Sequence, residues 1–405
     1  LSGANAAWNS LTGPNAKVFS AGDGLLFRGG CSFTGRLIMD ESGGAGNVIT
    51  IGAYGGGAAP LIDAAGVQNY AIYTAAAAYV TIRDLAVSGA TANNIRSDGQ
   101  HVTISNVTST GGVSGVRLTS ASYAALENVS ISGTTSSYGL YIATASTGIS
   151  LTNVTVAACT STYTVFIQNT TDMVISGLTV TSPSAYGINA DTNANLTAAD
   201  VRVTGAGSTG IITGNLNGAT LTRVSVTGSL AGGNGITFGT ATSNVTLQDS
   251  NFWSNKGDGV SFSGTGTGNI VRRVKSWSNG DATISASGDG FTTHGSVAAT
   301  FEYVAAWNNF KSCFALTGTG TGAIKNASCF NNYEASQIGN WGVYISSTGA
   351  WTVQNVVSAH HEFEFYFATG SNVASDYNVA WDSRGGTAFY WLGTAYNWAD
   401  YLTAS

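Results

Sequence analysis

Val80-Thr81-Ile82-Arg83-Asp84-Leu85-Ala86-Val87 is the stretch from which the rest of the chain can be read. Apolar residues stand at offsets 0, 2, 5 and 7, and Asp84 at offset 4 breaks the alternation. Two short alternating runs joined by one bend-forming residue describe two β-strands meeting at a corner. The pattern returns with Val102, Ile104 and Val107 around Asn106, and with Ala124, Leu126, Val129 and Ile131 around Asn128. It returns again around Asn153, Gly177, Asp200 and Arg223, and degenerate copies begin near Val245, Asn269, Ala299, Gly322, Trp351 and Val373. The mean spacing is about 24 residues, a solenoid period. A third strand follows in many copies as Gly-apolar-x-apolar, for example Gly115-Val116-Arg117-Leu118, Gly259-Val260-Ser261-Phe262 and Gly342-Val343-Tyr344-Ile345. Three strands and three corners make one coil, and stacked coils make three parallel sheets around a dry interior.

Composition agrees with that reading and removes others. Charged residues are 9% of 405, against about 25% in ordinary soluble proteins. With a net charge of −6 and only 15 Lys plus Arg, the chain lacks the clustered cations of a nucleic-acid groove. No apolar run approaches the ~20 residues of a membrane span. Good helix formers are scarce and glycine contributes 54 residues, which leaves an all-β chain made polar by hydroxyls and amides. Cys31, Cys159, Cys313 and Cys329 are widely spread, so isolated buried thiols are expected, with no zinc site and no other metal or cofactor. The chain opens without Met and without a basic-then-apolar leader, so any secretory signal is expected to lie outside it.

With the repeat in place, the chain resembles the right-handed parallel β-helix superfamily, that of pectate-lyase-like enzymes and phage tailspikes. The N-terminal Ala21-Gly22-Asp23-Gly24-Leu25-Leu26-Phe27-Arg28-Gly29-Gly30 and Gly46-Asn47-Val48-Ile49-Thr50-Ile51-Gly52-Ala53-Tyr54-Gly55 strengthen the likeness. The expected architecture is a single-stranded β-helix over 1–405, with 1–79 as a capping segment and first coils and 80–405 as regular coils. The aromatic stretch from Tyr390 to Trp398 either caps the last coil or marks where a longer chain continues. The superfamily implies an extracellular protein that binds a polysaccharide or cell-surface glycan, and as an enzyme a polysaccharide lyase or glycoside hydrolase. It equally hosts non-catalytic rods such as tailspikes, adhesins and filament subunits that associate into trimers or filaments.

Chemistry is concentrated late in the chain. Residues 251–405 carry 17 charged side chains where 101–250 carry 8, and coils lengthen at 279–289 and 331–341. Long excursions on one face of a solenoid build its binding face. By resemblance the groove there is lined by Lys256, Asp258, Asp281, Asp289, Lys311, Glu334, His360, His361 and Glu362. Asp258 and Asp289 each precede a third-strand glycine and are therefore stacked neighbours. Carboxylates about 5 Å apart suit a retaining glycosidase. Asp-Gly is also a turn pair, and Asn234-Gly235 fills the same column, so a structural corner is the first reading. Tyr344, Tyr366 and Tyr390 recur at the outward position of successive third strands, as a sugar platform or a self-contained stack. His360-His361-Glu362 and His294 are the proton-transfer candidates. Neither an Asn-Thr-Asp nor an Asp-Asp motif of the polygalacturonase type is present, nor a compact calcium-binding Asp cluster. Two columns read as structural ladders, Trp253, Trp277, Trp307, Phe330 and Trp381 in one, Asn255, Asn279, Asn309 and Asn332 in the other.

Overall fold

A computed structural model describes residues 8–281, 288–332, 340–381, 387–391 and 394–396. Inter-residue contacts divide the chain into two units, Leu1–Ile188 and Asn189–Ser405. Each is a parallel solenoid of three-strand coils, and the only described helix is the single turn Thr12–Asn15.

In the first unit the repeat's core positions align coil upon coil. One wall holds Ile51, Ile82, Ile104, Leu126, Leu151 and Ile175 in register. A second holds Val87, Ser109, Ile131, Val156 and Val180. The third holds Ile72, Ile95, Val116, Leu140 and Val165. Coiling already begins within residues 1–79, where Leu25 pairs with Ile51 and Phe33 with Ile62. The alternate residues face inward, so each rung removes a β-branched or leucine side chain from water.

The second unit repeats this plan with larger side chains inside. Its third wall stacks Ile236, Val260, Phe291, Phe314, Val343, Phe365 and Phe389. Ring pairs such as Phe291–Phe314 (5.2 Å) and Phe365–Phe389 (5.1 Å) fill the coils. At its end Thr394–Tyr396 folds back antiparallel on Thr387–Trp391, so part of the aromatic tail pairs with the last described parallel strand. Residues 397 and 398 lie outside the described part.

Corners carry the turning. Offset 4 is left-handed in every regular copy, including Asp84, Asn106, Asn128, Asn153, Asp200, Arg223 and Asn326. The sequence pattern exposes only this corner. Two others are equally left-handed: one precedes the first strand (Tyr79, His101, Tyr123), and one follows the second (Gly111, Gly133, Ala158). Each such non-glycine residue costs about 1–2 kcal/mol in the backbone, which Asn and Asp reduce by local hydrogen bonding. The offset-4 side chains also bond to one another. Asn106 donates to Asp84 (3.0 Å), Asn128 to Asn106 (3.1 Å) and Asn153 to Asn128 (3.2 Å). In the second unit Arg223 and Arg273 occupy the same column and pair back to Asp200 and Asp249 at 2.7 and 2.6 Å. Asn106, Asn128 and Asn153 each open an N-x-S/T sequence, and each already uses its amide nitrogen in the ladder.

The other two columns are ladders as well. Trp253, Trp277 and Trp307 stack at 5.1 and 5.0 Å with planes within 4°. The buried amides of Asn255, Asn279 and Asn309 bond in series at 3.0 Å. The cysteines depart from expectation: Cys313 and Cys329 form a buried disulfide, while Cys31 and Cys159 are free. These two side chains face inward on adjacent coils, a proximity their 16-residue separation does not reveal.

Replacing Asn128 tests the corner. Asn128→Ala should lower stability by about 1–2 kcal/mol, because alanine keeps the left-handed cost and loses the amide bonds. Asn128→Gly should recover part of that. Urea midpoints read the effect, and unchanged midpoints would remove the corner from the account.

Candidate functional site

Strand alternation on the third wall of the second unit turns Tyr344, Tyr366 and Tyr390 outward in one register column. The Tyr366 and Tyr390 rings stack parallel within 3° at 4.2 Å, and Tyr344 lies 5.4 Å from Tyr366. Trp341, one position from the strand's core-facing glycine, stacks on Tyr344 at 4.3 Å, and Phe363 meets Tyr366 edge-on. These rings use faces on each other, so the group offers ring edges, phenol hydroxyls and the faces at the ends of the stack. Burial, then the neighbouring Tyr390 and Tyr344, pushes the Tyr366 hydroxyl pKa up. Trp341 and Phe363 were missed because they lie outside the Gly-apolar-x-apolar frame.

The first unit carries an aromatic group on its own third wall. Tyr73, Arg96, Arg117, Tyr141 and Phe166 form one outward column. Tyr138 stacks beside Tyr141 and Phe166, at 4.9 and 5.1 Å. Arg96 is committed to Asp98 at 2.8 Å. Arg117 lies over the Tyr141 ring at 4.6 Å, and its buried Nε has no hydrogen-bond partner among the described residues. In the sequence Tyr141 stands at the outward position of Gly139-Leu140-Tyr141-Ile142, whereas Phe166 follows no such glycine and carries no signal of its own.

The acidic pair does sit in neighbouring coils. Asp258 and Asp289 are 5% and 7% exposed. Asp258 Oδ1 accepts the backbone N–H groups of Gly288 (2.8 Å) and Asp289 (3.0 Å), and Thr292 donates to Oδ2. Asp289 Oδ1 accepts the Ser312 N–H at 2.9 Å, and Asn234 Oδ1 accepts the Asp258 N–H at 2.7 Å. One column thus caps the backbone of the next coil three times over, the role an Asn or Asp at a bend performs. Burial, reinforced by the nearby Asp258 carboxylate, raises the Asp289 pKa to about 7.

The remaining candidates are dispersed. Lys256 pairs with Asp281 at 2.8 Å. Lys311 lies near enough to Asp289 for its charge to oppose the rise of that pKa. His294, exposed after the strand Phe291–Thr293, meets Thr317 Oγ1 at 2.9 Å. His360 is a left-handed corner residue with φ 66°. Glu362 faces the backbone N–H of Asn340 at 3.5 Å. Glu334 lies outside the described residues. His361 is fully buried, and its partner is Glu364 at 2.6 Å rather than Glu362. Glu364 was missed because a carboxylate in a core-facing column has no sequence signature.

A family model described as "Right handed beta helix region" matches residues 138–298. The fold is a right-handed parallel β-helix. A search of curated proteins finds no match. Among solved β-helix structures, DFA-IIIase from Arthrobacter chlorophenolicus A6 in complex with GF2 is 10% identical with a TM-score of 0.50, over 72% of this chain and 87% of that one. The GH136 lacto-N-biosidase from Eubacterium ramulus is 14% identical with a TM-score of 0.43 over 94% of this chain. This chain spans 64% of that enzyme's length. At such identities the likeness concerns the β-helix alone.

The Asp289 environment makes a signed prediction. Between its ordinary value of 3.8 and about 7, the folded chain keeps a proton that the unfolded chain releases. Stability contributed by the neutral carboxyl is therefore lost as pH rises through that window and is level above it. Asp289→Asn keeps an acceptor for Ser312 and removes the charge. It should raise the unfolding free energy at pH 8 by up to about 4 kcal/mol, read from urea titrations, and change it little at pH 4. Equal changes at both pH values would refute the buried-carboxylate account.

Proposed function

We propose that this protein binds polysaccharide through the outward aromatic residues of the third wall. The observation that carries this reading is the Trp341–Tyr344–Tyr366–Tyr390 stack, partly exposed rings whose edges, hydroxyl rims and end faces are held on a rigid sheet. Aromatic surfaces with polar edges suit sugars, which present C–H faces rimmed by hydroxyls. The Tyr141 group supports the same use in the first unit. A secreted or cell-surface location goes with a polysaccharide ligand.

A specific observation favours a second reading, a non-catalytic structural β-helix. Asp258, Asp289 and His361 are sealed and hydrogen-bond to the coils, which withholds them from a substrate. In the glycan-binding reading they hold the sheet in shape, and cleavage would have to come from groups other than these three.

Affinity electrophoresis against neutral and acidic polysaccharides tests the proposal, with reducing-end and unsaturated-product assays run on the same panel. Retardation should appear with at least one glycan, and Tyr344→Ala with Tyr366→Ala should weaken it roughly tenfold, about 1.4 kcal/mol. Unretarded migration throughout the panel, together with regular polymers in electron micrographs, would replace this reading with the structural one.

A further inference from the structure

The buried amide ladder of the second unit ends in a histidine. Asn309 accepts from Asn279 at 3.0 Å, and Asn332 Oδ1 accepts the Asn309 N–H at 2.7 Å. The Asn332 amide nitrogen then faces His361 Nε2 at 3.0 Å and Cys313 Sγ at 2.6 Å, with Cys329 Sγ at 3.9 Å. On the other side of the ring, Nδ1 meets Glu364 Oε2 at 2.6 Å. The same carboxylate accepts from Ser358 Oγ at 2.6 Å and, through Oε1, from the His361 N–H at 3.0 Å. A carboxylate can only accept here, so Nδ1 carries the proton and Nε2 presents a lone pair. All of these side chains are fully buried.

Two sulfurs and one imidazole lone pair therefore converge on a single electropositive group, the Asn332 NH2. The Cys313, Cys329 and His361 ligand atoms lie within 4.8 Å of one another, and Cys329 Sγ to His361 Nε2 is 3.8 Å. Tetrahedral zinc with its usual bond lengths places sulfur and nitrogen ligands about 3.6 Å apart. Glu364 holds the imidazole as carboxylates do behind zinc-bound histidines.

We propose that the dithiol form of this protein binds a thiophilic divalent cation of the zinc class through Cys313, Cys329 and His361 Nε2. Reduction by an external dithiol or phosphine breaks the S–S bond, with two electrons and two protons entering the pair and the reductant oxidised in turn. The cation then displaces the two thiol protons, and the Asn332 amide leaves the position it occupies. The disulfide and the cation are alternative occupants of one sealed site. The proposal is independent of the glycan-binding reading.

Cobalt(II) is the probe, titrated anaerobically into the full chain after phosphine reduction and followed by absorbance and far-ultraviolet circular dichroism. One equivalent should produce a thiolate-to-cobalt charge-transfer band that zinc abolishes. The oxidised protein and Cys329→Ser should lack the band, His361→Ala should weaken binding about tenfold or more, and Asn332→Asp, which keeps the acceptor for Asn309 and adds a ligand oxygen, should tighten it. A reduced chain with intact β-sheet signal and no band would overturn the proposal, as would a band that persists in Cys313→Ser with Cys329→Ser. Should reduction unfold the chain, recovery of the β-sheet signal on adding zinc supports the site and failure to recover refutes it.

Discussion

The left-handed corner is the constraint on which the rest depends. A parallel coil must turn three times without losing its neighbours' hydrogen bonds, and a single residue at φ near +50° to +60° turns the chain within one step. The cost recurs at every corner of every coil, so the sequence needs residues that reduce it. Asn and Asp do so twice: they tolerate the conformation, and stacked about 4.8 Å apart they bond to the same residue of the next coil. Asp84, Asn106, Asn128 and Asn153 form one hydrogen-bonded file for that reason. Once the corners are held, strand alternation alone decides which side chains face the core and which face out.

That rule made the fold readable and left most of the candidate site unread. The offset-4 corner was legible because Asn, Asp and Gly advertise it. The corner before the first strand was not, since Tyr79 and Tyr123 carry no left-handed preference, and the corner after the second strand mixes Gly111 and Gly133 with Ala158 and Ser182, so neither column shows one residue type. The tyrosine column followed from the third-strand frame and appears in register. The burial of Asp258, Asp289 and His361 did not follow, because an inward or corner-capping polar residue looks the same in sequence as an exposed one. The disulfide was hidden for a related reason: its cysteines sit in different columns, and only the three-dimensional stacking of adjacent coils opposes them.

Burial changes what the charged candidates can do. A carboxylate that receives two backbone N–H groups, as Asp258 does, has its lone pairs engaged before any substrate arrives. Asp289, pushed toward neutrality by burial and by Asp258, resembles in its pKa the acid of a glycosidase. The resemblance has a structural origin here, because a corner column that is Asn in one coil and Asp in the next two must crowd like charges. Perturbed titration marks functional sites often, but closed ion networks produce it equally well.

In a repeat, the informative residues are those that depart from their column. Glycine precedes the third wall at Gly259, Gly290 and Gly342 because a Cβ there would strike the next coil: 1.9 Å from Ser276 Oγ, 2.8 Å from the Ala306 Cβ and 2.0 Å from Ser358 Oγ. Cys313 and Glu364 stand at the corresponding position of their own coils. Each converts a forbidden approach into a bond, Cys313 to Cys329 across coils and Glu364 to Ser358 and His361 within one. The interior thereby gains sulfur, imidazole and carboxylate across three columns, where the corresponding positions of the preceding coils hold glycine, serine or alanine, and amide. A side chain larger than glycine fits there only where its neighbours receive it: Cys329 of the next coil receives Cys313, and Ser358 and His361 of its own coil receive Glu364, so any account of this protein has to explain these residues together.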